Sequence, residues 1–250
     1  LAGEREALAA ALDTFRASLA GGPVPVPVVI DGRPATDWPS EDRHDPSDTS
    51  LVVARVAMPS AAEAARAVEA AARGLPAWRD AGMVFRVACL RRAAGILRRR
   101  RRELAALVVH EVGKPWREAD ADIAEAIDFC VYYADQATAL AAPFRHDVPG
   151  EENVTHHRPR GVCAVIAPWN FPMAILAGMT TAALVTGNTV VMKPAEQASL
   201  TGLRLHEILL EAGVPPTALH FLPGRGEEVG PALVDHPETA RSEEHTSELQ

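Results

Sequence analysis

Cysteine is scarce in this chain: there are three, and no two of them form a C-x-x-C pair. Cys89, Cys130 and Cys163 are too few and too scattered for a disulfide framework. A reducing, cytoplasmic setting is therefore the default expectation. Each of the three lies among apolar residues of a predicted helix or strand, and a buried thiol has a raised pKa and is inert. We therefore interpret all three as core residues and not as nucleophiles.

Positive charge is also in short supply. The 25 basic residues are outnumbered by 33 acidic ones, and the formal net charge of −8 excludes a global attraction to nucleic acid or anionic lipid. The arginine run at Arg98–Arg102 is placed inside a predicted helix and is interpreted as a solvated face. Only Lys114 and Lys193 are lysines, which argues against interpreting Lys193 as an ordinary solvated surface residue.

Metal-ligand spacing is absent from the sequence. The nine histidines show no H-x-x-x-H or similar pattern, and His156–His157 would point to opposite faces of a strand. Acidic residues between Glu118 and Asp128 lie on a predicted helix at spacings that direct most of them to solvent. We therefore predict no metal site.

A long uncharged stretch lies between Arg160 and Lys193, and its length alone would cross a bilayer. Pro168, Pro172 and Gly187 divide it into pieces with the length of elements in a soluble fold. Broken backbone exposed to lipid is not tolerated, so we predict a buried β-α-β core and no membrane insertion.

The first half of the chain is predicted to be mainly helical. Ser60 and Glu63 form a capping box that opens a helix ending near Arg73. The stretch Val24–Ile30 is expected to be one edge strand or extended arm, and Trp38–Ser50 a polar loop. Further helices are predicted over Glu4–Leu19, Val84–Val112 and Arg117–Leu140, a strand over Leu51–Ala57, and a hairpin within Phe144–Pro159.

Strands and helices alternate regularly in the second half, which is typical of a doubly wound α/β fold. Ligands in such folds bind beyond the carboxyl ends of the strands. Polar groups follow the three predicted strands at those ends: Asn170, then Lys193 and Glu196, then the loop that begins at Gly224. The predicted strands are Val162–Ala167, Thr189–Met192 and Ala218–Leu222, and the helices are Met173–Val185, Leu200–Ala212 and Glu227–Val234.

The loop Gly224–Gly230 has the spacing G-x-G-x-x-x-G, which differs from the dinucleotide fingerprint. Glu227 and Glu228 suit the positive end of the following helix but would repel a phosphate placed there. The loop is therefore expected near a nucleotide without cradling its pyrophosphate.

Two motifs together resemble the aldehyde dehydrogenase superfamily. Pro168–Pro172 reads P-W-N-F-P, and Lys193–Glu196 matches K-P-x-E at the expected distance. The resemblance covers roughly Val24–Ala240. It is closer still to the L-glutamate γ-semialdehyde (1-pyrroline-5-carboxylate) dehydrogenases of proline catabolism, because of the stretches 111–116, 126–133 and 223–230.

The resemblance implies roles for particular residues. Asn170 would donate its side-chain amide to the oxyanion of the tetrahedral intermediate, a task for a fixed neutral donor. Lys193 and Glu196 would hold the adenosine ribose hydroxyls, and the carboxylate would favour NAD over NADP by repelling a 2′-phosphate. Pro168 and Trp169 would line the cofactor crevice, with core packing as the alternative. The full set of implied cofactor-binding residues is Ile166, Ala167, Pro168, Trp169, Lys193, Glu196, Gly226 and Gly230.

The implied fold is α/β, an aldehyde dehydrogenase-like Rossmann-type parallel sheet with flanking helices. We divide the chain into an amino-terminal helical part of the cofactor-binding domain (1–142), a hairpin that contributes to homo-oligomerisation (143–160), a Rossmann-like β-α-β part (161–240) and a tail (241–250). The tail is polar throughout, so we expect it to form no buried strand. We interpret it as foreign sequence.

The nucleophilic cysteine and general-base glutamate of the family have no match in this chain. Our hypothesis is that the sequence is the amino-terminal half of a dehydrogenase, cut short before the catalytic domain and inactive by itself. The parent enzyme would oxidise L-glutamate γ-semialdehyde to L-glutamate with NAD. Two alternatives stay open: another aldehyde dehydrogenase, such as a succinate-semialdehyde type, and a non-catalytic nucleotide-binding or assembly module.

Overall fold

The computed structural model describes the backbone of residues 2–244 and the side chains of residues 3–240. Within these residues the helices are α1 Ala2–Ser18, α2 Ala61–Asp80, α3 Met83–Arg99, α4 Arg101–Val112, α5 Trp116–Leu140, α6 Ala174–Val185, α7 Ser199–Glu211 and α8 Gly226–Val234. The strands are β1 Val24–Val26, β2 Val28–Ile30, β3 Arg33–Ala35, β4 Ser40–Asp45, β5 Asp48–Ala57, β6 Phe144–Arg145, β7 Val154–Thr155, β8 Val162–Ile166, β9 Thr189–Lys193, β10 Leu219–Phe221 and β11 Thr239–Glu244.

A six-stranded sheet in the order β11-β8-β9-β10-β2-β3 forms the centre of the fold. The four strands from β11 to β10 are parallel and are connected by α6, α7 and α8, whereas β2 and β3 pair antiparallel. The predicted α/β class, a parallel sheet with flanking helices, is confirmed.

The core occupies both faces of this sheet because β8 alternates its side chains. Cys163 and Val165 pack into the larger cluster with α3–α7. Val162 and Ala164 pack on the opposite face with residues of α2 and α8. A strand buried on both faces reads as a continuous apolar run, as Val162–Ile166 does.

The stretch Val24–Ile30 forms two strands in different sheets, and not the edge strand or extended arm that was predicted. Pro27 separates β1, which pairs parallel with β5 in a small sheet, from β2, which joins the central sheet. A proline has no N–H to give to a ladder, so the chain changes sheets there. Asp31 (φ 51°) and Gly32 (φ 72°) then make the tight turn into β3.

The predicted polar loop Trp38–Ser50 is also wrong, because most of it is β4 and the start of β5. The two strands pair antiparallel with Asp42 opposite Arg55, whose guanidinium donates to the carboxylate at 2.7 Å. Cross-strand pairs of opposite charge stabilise a ladder that has few apolar residues. Composition alone therefore did not reveal it.

Helix α2 begins at the predicted capping box and then continues past Arg73 to Asp80, through Gly74 and Pro76. Tertiary contacts extend it. Trp78 is buried, and its indole N–H donates to the carbonyl of Leu184 at 3.0 Å. A Cβ on Gly74 would lie 1.9 Å from the carbonyl oxygen of Thr217, so only glycine allows this approach.

The arginine run does not lie inside one helix, because α3 ends at Arg99 and α4 begins at Arg101. Three of its side chains form ion pairs: Arg100 with Glu211 at 2.8 Å, Arg101 with Asp120 at 2.6 Å and Arg102 with Glu4 at 2.7 Å.

A strand does continue past Ala240, although the polar tail was expected to form no buried strand. Thr239–Glu244 forms β11, which pairs parallel with β8 and brings Ser242 opposite Ala164. A ladder is made of backbone groups, so polar composition does not prevent it. The rest of the predicted tail, residues 245–250, lies outside the described residues.

The predicted hairpin is present as β6 and β7, with Phe144 opposite Thr155. Its oligomerisation role and the four-part division of the chain stay predictions. In the part of the chain that the structure describes, no helix is both long and apolar enough to cross a membrane. Over the same residues, no cluster of three or more His, Cys, Asp or Glu side chains is arranged to hold a metal ion.

Candidate active site

The two sequence motifs meet at the carboxyl ends of neighbouring strands. Ile166, the last residue of β8, lies opposite Lys193, the last residue of β9. The backbone N–H of Ala167 then donates to the carbonyl of Lys193 at 3.1 Å. The loop that carries P-W-N-F-P and the loop that carries K-P-x-E therefore leave the sheet side by side.

Lys193, Glu196 and Gly226 form one polar cluster at this edge. The side chain of Lys193 is 3% exposed, and its ammonium donates to Oε1 of Glu196 at 3.2 Å. The backbone N–H of Gly226, at the start of α8, donates to the same oxygen. A Cβ on Gly226 would lie 3.3 Å from that oxygen and 3.4 Å from the lysine nitrogen, so the position has little room for a side chain.

Burial raises the pKa of Glu196, but Lys193 and the hydrogen bonds from the Lys193 ammonium and the Gly226 amide outweigh it, so the pKa stays below its ordinary value. The carboxylate is therefore ionised at neutral pH. A buried lysine beside an ionised carboxylate presents a donor and an acceptor at one place, which is the donor set that a vicinal diol requires.

Two predicted residues near this cluster have different surroundings. Gly224 has φ 124°, a conformation that favours glycine, and it packs against Pro59. Gly230 lies one turn into α8 and is buried there. Glu227 and Glu228 point to solvent at the first turn of α8, beside Arg225, which pairs with Glu41 at 2.6 Å.

The predicted residues on the loop after β8 differ in exposure. Pro168 is buried, whereas Trp169 is 45% exposed, so the tryptophan is not packed into the core. Asn170 is half-buried, and its side-chain Oδ1 is buried without a hydrogen-bond partner among the described residues.

Lys114 contacts this loop, a role that the sequence did not reveal. Its ammonium donates to the backbone carbonyl of Asn170 at 2.7 Å. The same nitrogen lies 3.9 Å from the centre of the Phe171 ring and 4.0 Å from Oδ1 of Asp122. One lysine of the chain thus lies in the K-P-x-E loop, and the other contacts the P-W-N-F-P loop from the segment between α4 and α5.

Two buried carboxylates, one on α4 and one on α5, hold the helices that follow the two loops. Asp122 accepts the backbone N–H of Met173 at 3.2 Å and of Ala174 at 3.1 Å, at the start of α6. Glu111 accepts the N–H of Leu200 at 2.6 Å and of Thr201 at 2.8 Å, at the start of α7. The prediction was that most of the acidic residues of α5 face solvent, and Asp122 is one that does not.

The apolar stripes of the helices carried a signal for both carboxylates. Asp122 falls between Ala119 and Ala126, which are buried positions on one face of α5. Glu111 follows Leu104 and Leu107 at helical spacing on α4. An acid within such a stripe is buried and needs partners.

The three cysteines are buried, as predicted. Burial raises the pKa of Cys130 to about 12, and it also raises the pKa of Cys89. Cys163 lies in the core of β8.

Residues 35–241 match the family model described as the aldehyde dehydrogenase family. The chain is 46% identical over 216 residues to 1-pyrroline-5-carboxylate dehydrogenase 2 of Bacillus subtilis (strain 168), covering 86% of this chain and 42% of that protein. It is 43% identical over 236 residues to 1-pyrroline-5-carboxylate dehydrogenase of Geobacillus thermodenitrificans (strain NG80-2), covering 94% of this chain and 45% of that protein. The chain thus spans less than half the length of these relatives.

Solved structures give the same result. Proline utilization A from Bdellovibrio bacteriovorus, inactivated by N-propargylglycine, superposes with a TM-score of 0.91 at 45% identity, covering 96% of this chain and 25% of that one. The 1-pyrroline-5-carboxylate dehydrogenase from Thermus with bound NAD superposes with a TM-score of 0.88 at 43% identity. The match covers 94% of this chain and 45% of that one. With the two motif loops adjacent at the sheet edge and a family match over most of its length, this chain belongs to the aldehyde dehydrogenase family.

Proposed function

We propose that this chain supplies the ribose-binding and oxyanion-stabilising part of an NAD-dependent enzyme that oxidises L-glutamate γ-semialdehyde to L-glutamate. The buried Lys193–Glu196 pair carries the proposal, because it lies beside the Asn170 loop at the carboxyl ends of adjacent strands. Relatives at about 45% identity carry the name 1-pyrroline-5-carboxylate dehydrogenase, which supports this aldehyde as the substrate.

The residues present fit the adenosine ribose of NAD. The ammonium of Lys193 would donate to a ribose hydroxyl, and the carboxylate of Glu196 would accept from the hydroxyls. An ionised carboxylate repels a 2′-phosphate, so Glu196 disfavours NADP. When bound, NAD would supply the hydride acceptor.

Asn170 would act on the aldehyde. As the carbonyl carbon becomes tetrahedral, negative charge develops on its oxygen, and a fixed amide N–H stabilises that charge. An amide suits this task because it donates an N–H and stays neutral at physiological pH. The residues that attack the carbonyl are not among the three buried cysteines, so we propose that residues 1–250 alone do not oxidise the aldehyde.

Equilibrium titration with NAD and NADP tests the ribose site. Glu196→Gln should weaken NAD binding and narrow the preference for NAD over NADP. A matched control is Glu207→Gln, which removes the exposed i,i+3 ion pair of Arg204 and Glu207 at 2.6 Å on α7 and should leave both affinities unchanged. Equal NAD affinity in the Glu196 variant and the wild type would refute the proposed ribose contact.

Steady-state assays of the full-length gene product test the substrate. A higher kcat/KM for pyrroline-5-carboxylate than for succinic semialdehyde supports the proposal, and the reverse order indicates the succinate-semialdehyde type. NAD binding without turnover of either aldehyde indicates the non-catalytic module. We also propose a cytoplasmic homo-oligomer, with the exposed β6–β7 hairpin, where Phe144 is 65% exposed, as its contact.

A further inference from the structure

The loop between β8 and α6 is fixed at both ends. At its start the N–H of Ala167 donates to the carbonyl of Lys193, and at its end Asp122 accepts the amides of Met173 and Ala174. Asn170 lies between these anchors. Its Oδ1 has no hydrogen-bond partner among the described residues, so the direction of its side-chain amide depends on the backbone that carries it.

One side chain holds that backbone. Lys114 lies between α4 and α5, where Gly113 (φ 69°) ends α4 and turns the chain toward the loop. Its side chain is 11% exposed, and its ammonium donates to the Asn170 carbonyl at 2.7 Å. The Phe171 ring covers the same ammonium at 3.9 Å.

The chemistry of the three partners favours an ammonium. A carbonyl oxygen, the face of an aromatic ring and the Asp122 carboxylate at 4.0 Å surround one nitrogen atom. A compact point charge can satisfy all three, whereas a planar guanidinium is larger and fixes its donors in one plane. Lys114 and Lys193 are the only lysines among the 25 lysine and arginine residues of the chain.

We propose that Lys114 is a positioning residue for Asn170: its ammonium fixes the backbone carbonyl of Asn170 and thereby aims the side-chain amide at the reacting oxygen. This inference rests on the oxyanion role of Asn170 in the proposed function. Lys114 itself touches neither the aldehyde nor the cofactor. Loss of its contact therefore affects the transition state more than the binding of either substrate.

A double-mutant cycle in the full-length enzyme tests the inference. Asn170→Ala should lower kcat about 100- to 1000-fold, as loss of an oxyanion donor does. Lys114→Met should lower kcat about 100-fold through misplacement of that donor, with KM for the aldehyde and the Kd for NAD close to wild type. The double variant should be no slower than Asn170→Ala alone, because both changes remove one interaction.

Further variants separate positioning from a general loss of structure. Lys114→Arg retains the charge and should recover part of kcat, and Phe171→Leu should lower kcat several-fold while keeping the loop apolar. Arg91→Met is the control, since it removes a cation from the exposed pair with Asp135 at 3.1 Å on α3 and α5, and kcat should not change.

Each result decides the matter. Multiplicative losses in the double variant, or a Lys114→Met enzyme with wild-type kcat, would overturn the positioning role and leave the proposed function intact. An Asn170→Ala enzyme with wild-type kcat would instead remove the oxyanion role from the proposed function, and the inference about Lys114 would fall with it.

Discussion

The carboxylate of Glu111 on α4 binds Thr201 at the start of α7 twice: it accepts the backbone N–H at 2.8 Å and the hydroxyl at 2.5 Å. Because α7 follows the K-P-x-E loop directly, this contact connects α4 to the candidate ribose site. Burial is the larger influence on Glu111 and raises its pKa to about 7, although the hydrogen bonds favour the charged form.

We expect a pH-dependent stability that originates at Glu111. Its pKa is higher in the folded chain than its ordinary value of 4.5, so the folded state binds the proton more tightly. The stabilisation is complete below pH 4.5 and is lost as the pH rises through about 7. Over that range the free energy of unfolding of the wild type should fall relative to that of Glu111→Gln by up to about 3 kcal/mol.

Urea unfolding of both proteins from pH 4.5 to pH 8 measures this difference. Glu103→Gln, an exposed change on the same helix, serves as the control and should show the wild-type profile. Parallel profiles for the wild type and Glu111→Gln would contradict the prediction.

Asp122→Ala should lower the free energy of unfolding by about 2 kcal/mol, because the amides of Met173 and Ala174 lose their acceptor at the start of α6. Asp122→Asn keeps one acceptor oxygen and should cost less. The midpoint of urea unfolding at constant m-value measures both. Glu125→Ala, an exposed change on α5, is the control, and an equal effect of the two alanine variants would disprove the capping role.

Gly74→Ala should destabilise the fold by about 3 kcal/mol, since the new Cβ would lie 1.9 Å from a backbone oxygen of Thr217 and would push α2 from the loop before β10. Gly95→Ala on α3 is the matched control. There the nearest neighbour is a flexible arginine tip at 3.5 Å, and the change should be neutral or stabilising by up to about 1 kcal/mol. Thermal unfolding compares them, and similar melting temperatures would contradict the close approach.

The cysteines should resist alkylation. Burial raises the pKa of Cys130 to about 12 and that of Cys89 as well, so neither forms the reactive thiolate near neutral pH. Iodoacetamide at pH 7.5 followed by peptide mass spectrometry should find all three positions unmodified in the native chain and modified in denaturant. Rapid native labelling of any of them would revive a catalytic role.

Local patterns predicted the parallel part of the fold well. The apolar run at β8 and the alternation of strand and helix result from burial on both faces of the sheet. Burial requires apolar residues, so these elements are visible in the sequence. The proximity of the loops that carry Asn170 and Lys193 followed from the succession of two parallel strands, β8 and β9.

The remainder depends on contacts between distant residues. The pair of Asp42 and Arg55 stabilises strands whose polar sequence is typical of a loop. Gly74, which looks like the end of a helix, instead lets the helix pass close to the carbonyl of Thr217. The contact of Lys114 with the Asn170 carbonyl could not be predicted, because the two residues are 56 positions apart along the chain.

The sheet order has a consequence for synthesis of the protein. β1 pairs with β5, where Val24 lies opposite Ala54, so its partner leaves the ribosome soon after it. β2 begins two residues after β1 ends, yet Val29 must wait for Phe221. At about 5–20 residues per second the delay is on the order of ten seconds or more. Through that time the apolar residues Val28 and Val29 lack the strand β10 that they border in the finished sheet, so we expect this early segment to present an unpaired, aggregation-prone strand edge while the chain grows.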